Sequence, residues 1–220
     1  MPKKARIIGV FDSGVGGQSV ARAIQKAFPN DTIMLRDDSQ HVPYGTRSPE
    51  EILTFVTPIF RAMVAAGCEV IVIACNTVST TLYEPLQQLS PVPLIAMVPM
   101  VKPAAQLTHS KKIAVCATPT TLASPRYNEL KRQYAQNLTV IEPDCSDWSL
   151  LIQNNKMNAE KIAADLQPAL DFGADVIVLG CTHYHWIETE ISELAGNKVR
   201  ILQPEEAIIS QLARVLARLP

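Results

Sequence analysis

Two cysteines stand at equivalent places in two similar stretches of this chain. Residues 67–77 read GCEVIVIACNT, and residues 173–183, placed 106 positions later, read GADVIVLGCTH. In each stretch a short β-branched run, typical of a buried parallel strand, leads through a small residue to a cysteine, Cys75 or Cys181. Ligands of open parallel sheets bind beyond the carboxyl ends of the strands, so we expect both thiols where chemistry is done.

Two facing cysteines form an acid/base pair, since a thiolate accepts a proton and a thiol donates one. Each cysteine precedes a predicted helix, whose positive end is expected to lower the pKa of the thiol. If Cys75 and Cys181 flank a stereocentre, one removes a proton and the other delivers a proton to the opposite face. The pattern therefore predicts racemisation with no cofactor and no metal.

The α-proton of an amino acid is far less acidic than a thiol, so the site must stabilise a carbanion with oriented donors. The candidate donors at the predicted strand ends are Ser13, Asn76, Thr77, Thr118, Thr120, Thr121, Thr182 and the backbone amides of residues 14–17, a glycine-rich turn that resembles an anion cradle. We expect Asp12 to hold a substrate ammonium or to assist a cysteine. We expect His183 to lower the pKa of Cys181 or to carry its proton.

Other polar residues and cysteines have ordinary interpretations. Cys68, Cys116 and Cys145 are predicted to be small core residues. His109 and His185 are predicted at the surface, and His41 borders the loop that contains Pro43, Tyr44 and Gly45. Asp37, Asp38 and Asp144 follow predicted strands and are interpreted as caps, while Arg47 either pairs with a substrate carboxylate or is simply exposed.

The bulk composition limits the classes of partner. The chain has 220 residues with 47% apolar content, a net charge of −1 and a pI of about 6.4. These values give no electrostatic footprint for nucleic acid or an anionic membrane. The first residues form neither a signal peptide nor a membrane span. Five cysteines without a CxxC spacing argue against disulfides or zinc and favour a reducing cytoplasm.

The elements that must position the cysteines repeat along the chain. Strands are predicted at residues 6–11, 32–35 and 94–98 and within the stretch 67–77, and again at 112–118, 138–141 and 200–202 and within the stretch 173–183. Helices are predicted from residue 18 to 27, from a Ser48 cap to about residue 66, where Pro58 allows a kink, from 79 to 89 and from 204 to 219. Three strands recur at the offset of 106 residues, which indicates an internal duplication.

The predicted fold is α/β, with two pseudo-symmetric α/β domains, mainly parallel sheets and the active site in the cleft between them. We expect one domain to comprise residues 1–97 plus 204–220 and the other residues 98–203. The closing helix returns to the first half in this arrangement. A small molecule between the halves would meet one thiol on each face.

At residues 12–17, 43–45, 75–77 and 180–184 the chain resembles the glutamate racemases of the aspartate/glutamate racemase superfamily. The resemblance implies cofactor-independent 1,1-proton transfer on glutamate, a role in supplying D-glutamate for peptidoglycan, and a possible homodimer. It implies that Cys75 and Cys181 are the acid/bases, assisted by Asp12 and His183. The implied substrate contacts are Asp12, Ser13, Tyr44, Gly45, Asn76, Thr77, Thr182 and His183.

The chain departs from that family at two places. Gln153 stands near the position where a glutamate is expected, and Val98-Pro99 replaces a Glu-Pro pair. These changes keep aspartate, or another acidic amino acid, open as the substrate. A non-catalytic, acidic amino-acid-binding regulatory protein is the alternative from a different class, and a one-cysteine decarboxylase is disfavoured because both cysteines are present.

Overall fold

Two four-stranded parallel sheets form the centre of the computed structural model, which describes residues 5–219. The first sheet has the order β2-β1-β3-β4, with β1 (Ile7–Asp12), β2 (Thr32–Asp37), β3 (Val70–Ile73) and β4 (Leu94–Ala96). The second repeats that order as β6-β5-β7-β8, with β5 (Lys112–Cys116), β6 (Thr139–Ile141), β7 (Val176–Leu179) and β8 (Arg200–Leu202). The matching strand order confirms the predicted fold of two similar α/β halves.

Helices connect the strands of both sheets. In the first half they are α1 (Gly17–Ala27), α2 (Pro49–Ala65), α3 (Asn76–Thr81) and α4 (Tyr83–Leu89). They continue with α5 (Val101–Leu107), α6 (Pro119–Ala123), α7 (Pro125–Tyr134), α8 (Trp148–Gln153), α9 (Ala159–Phe172), α10 (Glu188–Ala195) and α11 (Glu205–Leu216). Short 3₁₀ helices occupy Ser39–His41, Tyr44–Thr46 and Thr182–Ile187. Within residues 5–219, none of the helices has the length and apolar character to span a bilayer.

The strands that carry the cysteines are buried on both faces. Every residue of β3 and β7 is buried, as continuous apolar runs in a covered parallel sheet require. One face of the first sheet packs on α2 through Ile71 and Ile73, and the other packs on α1 through Val70 and Val72. The central position of β3 and β7 holds the ends of these strands rigidly.

Helix α11 packs on the first sheet although it follows the last strand of the second. Ile208, Leu212 and Leu216 of α11 are buried in the same cluster as β1, β3 and α1. The amphipathic spacing of these residues places them on one face of the helix. The chain therefore returns to its first half at its end.

Two helix predictions meet different outcomes. Ser48 caps α2 as predicted, accepting a hydrogen bond from the backbone N–H of Glu51 at 3.2 Å, and α2 stays one helix through Pro58. The helix predicted over residues 79–89 is instead α3 and α4, separated at Leu82. Pro85 has no N–H to donate to the carbonyl four residues earlier, which weakens a continuous helix at this point.

Candidate active site

The two cysteines lie at matching positions and line one cavity. Cys75 follows β3 and is the N-cap of α3, and Cys181 follows β7 and precedes the 3₁₀ helix Thr182–Ile187. Both thiols are buried and both contribute to the cavity between the two sheets. The cavity encloses about 10 Å³, the room of about one water molecule. Both thiols therefore lie at one site, as expected from the sequence, and that site is narrow.

Most of the other predicted site residues line the same cavity. Those that do are Ser13, Tyr44, Gly45, Asn76, Thr77, Thr118, Thr182 and His183. Thr121 lies behind this surface, with its hydroxyl 3.0 Å from that of Thr118 and 3.3 Å from that of Thr77. Asp12 is fully buried beneath it.

The pKa of each cysteine is raised, against the expectation from the helix ends. Burial and the nearby Asp12 raise the pKa of Cys75 to about 11, although Ser13 and the backbone amides of Thr77 and Val78 act in the opposite direction. Burial also raises the pKa of Cys181, against the amides of the following residues. The expectation was wrong because loss of hydration for a fully buried thiolate outweighs the field of a helix of about six residues.

Each cysteine has one polar neighbour from its own half. Sγ of Cys75 lies 3.5 Å from Oγ of Ser13, and Sγ of Cys181 lies 3.8 Å from Nδ1 of His183. Burial lowers the pKa of His183, so its ring is neutral near pH 7 and one ring nitrogen is free to accept a proton. A proton route from Cys181 to His183 is therefore short.

The carboxylate of Asp12 is hydrogen-bonded inside the protein and does not line the cavity. Its carboxylate accepts hydrogen bonds from the backbone amides of Gly14 at 3.1 Å and Gly17 at 3.0 Å, and from the Thr182 hydroxyl at 3.0 Å. The glycine-rich turn thus cradles an anion, as its sequence indicates, but the anion is the protein's own side chain. Burial raises the pKa of Asp12 despite these bonds.

Asn76 lines the cavity, and its side-chain amide has no hydrogen-bond partner among the described residues. Both its nitrogen Nδ2 and its oxygen Oδ1 are buried without a hydrogen bond. An unpaired buried amide costs about 1–3 kcal/mol, which is recovered if a polar ligand binds there. Beside it the hydroxyls of Thr77 and Thr118 lie 3.0 Å apart, so both an amide and hydroxyl donors face the cavity.

Tyr44 is fixed by a residue that the sequence analysis interpreted as a cap. The Tyr44 hydroxyl donates to the buried carboxylate of Asp38 at 2.5 Å, and His41 holds the same carboxylate at 2.7 Å. Burial and Asp38 raise the pKa of Tyr44, so the phenol stays protonated. Asp38 is therefore a support of the Tyr44 loop, and His41, stacked on Phe55, belongs to the same support.

Three other expectations are settled by position. Arg47 donates to the carbonyl of His41 at 2.8 Å and pairs with Glu51, so it is engaged outside the cavity. His109 is exposed as predicted. The prediction for His185 was wrong, because its side chain is 3% exposed and lies between Ser19 and Glu205. Its burial follows from the packing of α1 and α11 over the 3₁₀ helix, which local sequence does not reveal.

Two residues of α8 belong to the site: Ser149 was not foreseen from the sequence, and Gln153 was noted there only as a departure from the family, without a contact. The hydroxyl of Ser149 lines the cavity and lacks a partner, and Gln153 contacts Nε2 of His183 at 2.9 Å. Their spacing of four residues places them on one helix face, which is the signal that could have identified them.

The remaining cysteines, Cys68, Cys116 and Cys145, are buried and free, as predicted. Residues 5–219 contain no cluster of three or more ligand-type side chains able to hold a metal ion.

Comparison with known proteins identifies the family. The model of the Asp/Glu/Hydantoin racemase family matches residues 17–212. The chain belongs to this racemase family. It is accordingly an isomerase, and the two-sheet architecture is that of its solved relatives.

Curated and solved racemases match almost the whole chain. The glutamate racemase of Roseiflexus sp. is 35% identical over 219 residues, covering 97% of this chain and 80% of the relative. The Escherichia coli glutamate racemase, solved with L-glutamate and the activator UDP-MurNAc-Ala, has a TM-score of 0.91 at 28% identity, covering 97% and 83% of the two chains. The Francisella tularensis glutamate racemase, solved with D-glutamate, has a TM-score of 0.81 at 26% identity, covering 96% and 81%.

Proposed function

We propose that this racemase interconverts L- and D-glutamate without a cofactor, with Cys75 and Cys181 as the two bases. The observation that carries the proposal is that both thiols, from equivalent strand ends of two similar halves, line one cavity. A planar carbanion between two such groups can be reprotonated from either side. The relatives named glutamate racemase support glutamate as the substrate.

The donors around the thiols have distinct roles in this proposal. Asn76, with its unpaired amide, and the hydroxyls of Thr77 and Thr118 bind a substrate carboxylate. Tyr44 and the backbone at Gly45 complete the wall of the cavity. Thr121 positions the Thr77 and Thr118 hydroxyls from behind, in keeping with its contacts to both.

The raised pKa values of both thiols fit a mechanism in which the substrate activates its own bases. A zwitterionic amino acid brings an ammonium group into the buried site, and a nearby positive charge lowers the pKa of a thiol. In one direction His183 accepts the proton of Cys181, whose thiolate is the base, and Cys75 remains the thiol that donates. In the other direction Cys181 is the thiol, and Ser13 and the amides that follow Cys75 stabilise the Cys75 thiolate. Asp12 and Thr182 hold the glycine-rich turn against the second half and place a negative charge near the ammonium.

Entry of the substrate requires the two halves to separate. A cavity of about 10 Å³ is far below the size of an amino acid, since small-ligand pockets span about 300–1,000 Å³. We propose that the moving units are residues 1–97 plus 204–220 and residues 98–203. The packing of Ile208 and Leu212 on the first sheet supports grouping α11 with the first unit.

The test is exchange of the α-proton in deuterated water. Wild-type protein should incorporate deuterium into L- and D-glutamate with no added cofactor and should convert each into the other. Cys75→Ser and Cys181→Ser should each lower racemisation by about 10²–10⁴-fold, the range for loss of a general acid/base. Unchanged rates in both variants would exclude the two-cysteine mechanism.

Substrate choice and class are decided by matched assays. Glutamate and aspartate in competition separate a glutamate racemase from an aspartate racemase or a broader acidic amino-acid racemase. Tight binding of glutamate with no turnover in the wild type would support a regulatory binding protein instead. Both cysteines argue against that alternative, because binding alone requires neither thiol.

The cellular role follows from the product. D-glutamate is a building block of peptidoglycan, so we propose that the racemase supplies it in the cytoplasm and acts as a homodimer. Depletion of the protein should make growth depend on added D-glutamate. Light scattering of the purified protein tests the dimer.

A further inference from the structure

Gln153, the last residue of α8, joins the glycine-rich turn of the first half to the histidine of the second. Its side-chain oxygen Oε1 lies 3.1 Å from the backbone nitrogen of Val15 and 2.9 Å from Nε2 of His183. A Cβ on Gly14 would lie 2.5 Å from this oxygen. The close approach of turn and amide therefore depends on the glycine.

The contact with Val15 fixes the orientation of the Gln153 amide, and through it the histidine tautomer. A backbone N–H can only donate, so the atom that faces it is the carbonyl oxygen of the amide. That oxygen can only accept, so Nε2 of His183 carries a hydrogen. In the neutral ring Nδ1 then has a free lone pair, and it lies 3.8 Å from Sγ of Cys181.

We propose that Gln153 is a positioning residue that holds His183 in the Nε2–H tautomer, so that Nδ1 accepts the thiol proton of Cys181. The inference rests on the proposed role of Cys181 as a base. In this step the S–H bond of Cys181 breaks and an N–H bond forms at Nδ1. The products are a thiolate and an imidazolium, whose Nε2–H still donates to Gln153, and the proton returns by the same route.

The charge of the side chain at position 153 affects how strongly His183 binds a proton. The titratable groups that face its ring are Asp12 at the end of β1, Cys181 before it and His185 in its own 3₁₀ helix. Asp12 favours the imidazolium, and His185 opposes it. On the remaining side α8 presents the neutral amide of Gln153. A carboxylate there would add a negative charge and make His183 a stronger base.

The test compares Gln153→Glu with Gln153→Met, which is similar in size and lacks a strong acceptor. The measurement is the rate of iodoacetamide alkylation at Cys181 against pH, followed by peptide mass spectrometry, with Cys75 in the same sample as the internal control. In Gln153→Glu the apparent pKa of Cys181 should fall by about one unit, raising alkylation about tenfold at a fixed pH below that pKa. In Gln153→Met it should rise, and in both variants Cys75 should shift less than Cys181.

Nitrogen-15 NMR of the histidine rings reads the tautomer directly. The wild type should show His183 with hydrogen on Nε2, Gln153→Met should show a mixture of tautomers, and Gln153→Glu should keep the imidazolium to higher pH. Shifts of Cys181 in the same direction in both variants, or none in either, would overturn the proposal, as would a wild-type Nδ1–H tautomer. Circular dichroism checks folding, and Gln153→Glu carries the test alone if the methionine variant does not fold.

These readouts are independent of turnover. If the wild type lacks racemase activity while the tautomer and alkylation shifts occur, the proposed function fails and the role of Gln153 stands. If the wild type racemises glutamate but the shifts are absent, the role of Gln153 fails and the proposed function stands.

Discussion

At the scale of single residues, burial decides the protonation of the site. Cys75 lies at a helix start, where an exposed thiol would lose its proton more easily, yet burial and Asp12 raise its pKa to about 11. Tyr44 and Cys181 are shifted in the same direction by the same cause. The two thiols and the Tyr44 phenol are therefore protonated at neutral pH.

The raised pKa of Cys75 predicts slow, steeply pH-dependent alkylation. Only the thiolate reacts, so the rate at Cys75 should rise about tenfold per pH unit between pH 7 and about 10. Iodoacetamide labelling with mass spectrometry of the Cys75 peptide measures this rate. Ser13→Ala removes a neighbour that lowers this pKa, and it should slow the labelling further at each pH. A plateau in the wild type below pH 9 would contradict the assignment.

At the scale of elements, a side chain just before β7 stabilises the connection between α5 and β5 by hydrogen bonds. Asp175, just before β7, accepts hydrogen bonds from the Thr108 hydroxyl at 2.5 Å and from the backbone amides of His109 at 2.7 Å and Ser110 at 2.8 Å. Burial acts to raise the pKa of Asp175, but these bonds outweigh it and lower the pKa to about 2. The carboxylate thereby ties the segment after α5 to the strand that leads to Cys181.

This lowered pKa predicts a stability difference that depends on pH. The folded pKa lies below the ordinary value of 3.8, so the contribution of Asp175 is present above about pH 4 and is lost as pH falls toward 2. Asp175→Asn should lower the free energy of unfolding by about 1–2 kcal/mol at pH 7, a figure reduced for partial exposure. Urea unfolding at pH 7 and pH 3 measures it.

The matched control is Asp171→Asn on the exposed end of α9. It should change the free energy of unfolding by less than about 0.5 kcal/mol at either pH, as ordinary surface substitutions do. Equal effects of the two substitutions at pH 7 would show that the Asp175 hydrogen bonds contribute nothing specific.

At the scale of the whole molecule, small residues let the two halves meet over the cavity. A Cβ on Gly45 would lie 2.5 Å from Cβ of Thr118, and a Cβ on Gly16 would lie 2.5 Å from the hydroxyl oxygen of Thr182. The Thr120 hydroxyl, which belongs to the second half, donates to the carbonyl of Gly45 at 2.7 Å. Closure of the site therefore depends on the close approach of the glycine backbone of the first half to the threonine side chains of the second half.

Gly45→Ala is predicted to impair closure. The methyl group has to push Thr118 away, and displacements of about 1 Å can cost up to about 100-fold in rate, so kcat/KM for glutamate should fall about 10–100-fold. Steady-state racemisation followed by circular dichroism measures it. A racemase has an equilibrium constant of one, so the loss must be equal for the two enantiomers.

Gly196→Ala is the control for this substitution. Gly196 has a φ of +69° and nothing within 4 Å of an added Cβ, so alanine costs stability through its left-handed backbone but leaves the cleft untouched. This variant should keep wild-type kcat/KM. Retention of full activity by Gly45→Ala would show that the close contact with Thr118 is dispensable.

The sequence by itself determined the repeated architecture and most of the residues around the cavity. Continuous β-branched runs can be buried only in a covered parallel sheet, and the fixed offset between the two copies relates Cys75 to Cys181. Loops after parallel strands gather at one edge, so the polar residues there were also foreseeable.

Only the tertiary structure decided what lies behind those residues and how they are protonated. The placement of Gln153 on His183, of Asp38 on Tyr44 and of His185 between α1 and α11 joins segments distant in sequence. The high thiol pKa values likewise come from burial by both halves together. Local sequence sets which groups a strand end presents, but hydration and hydrogen-bond partners depend on how the elements pack against one another.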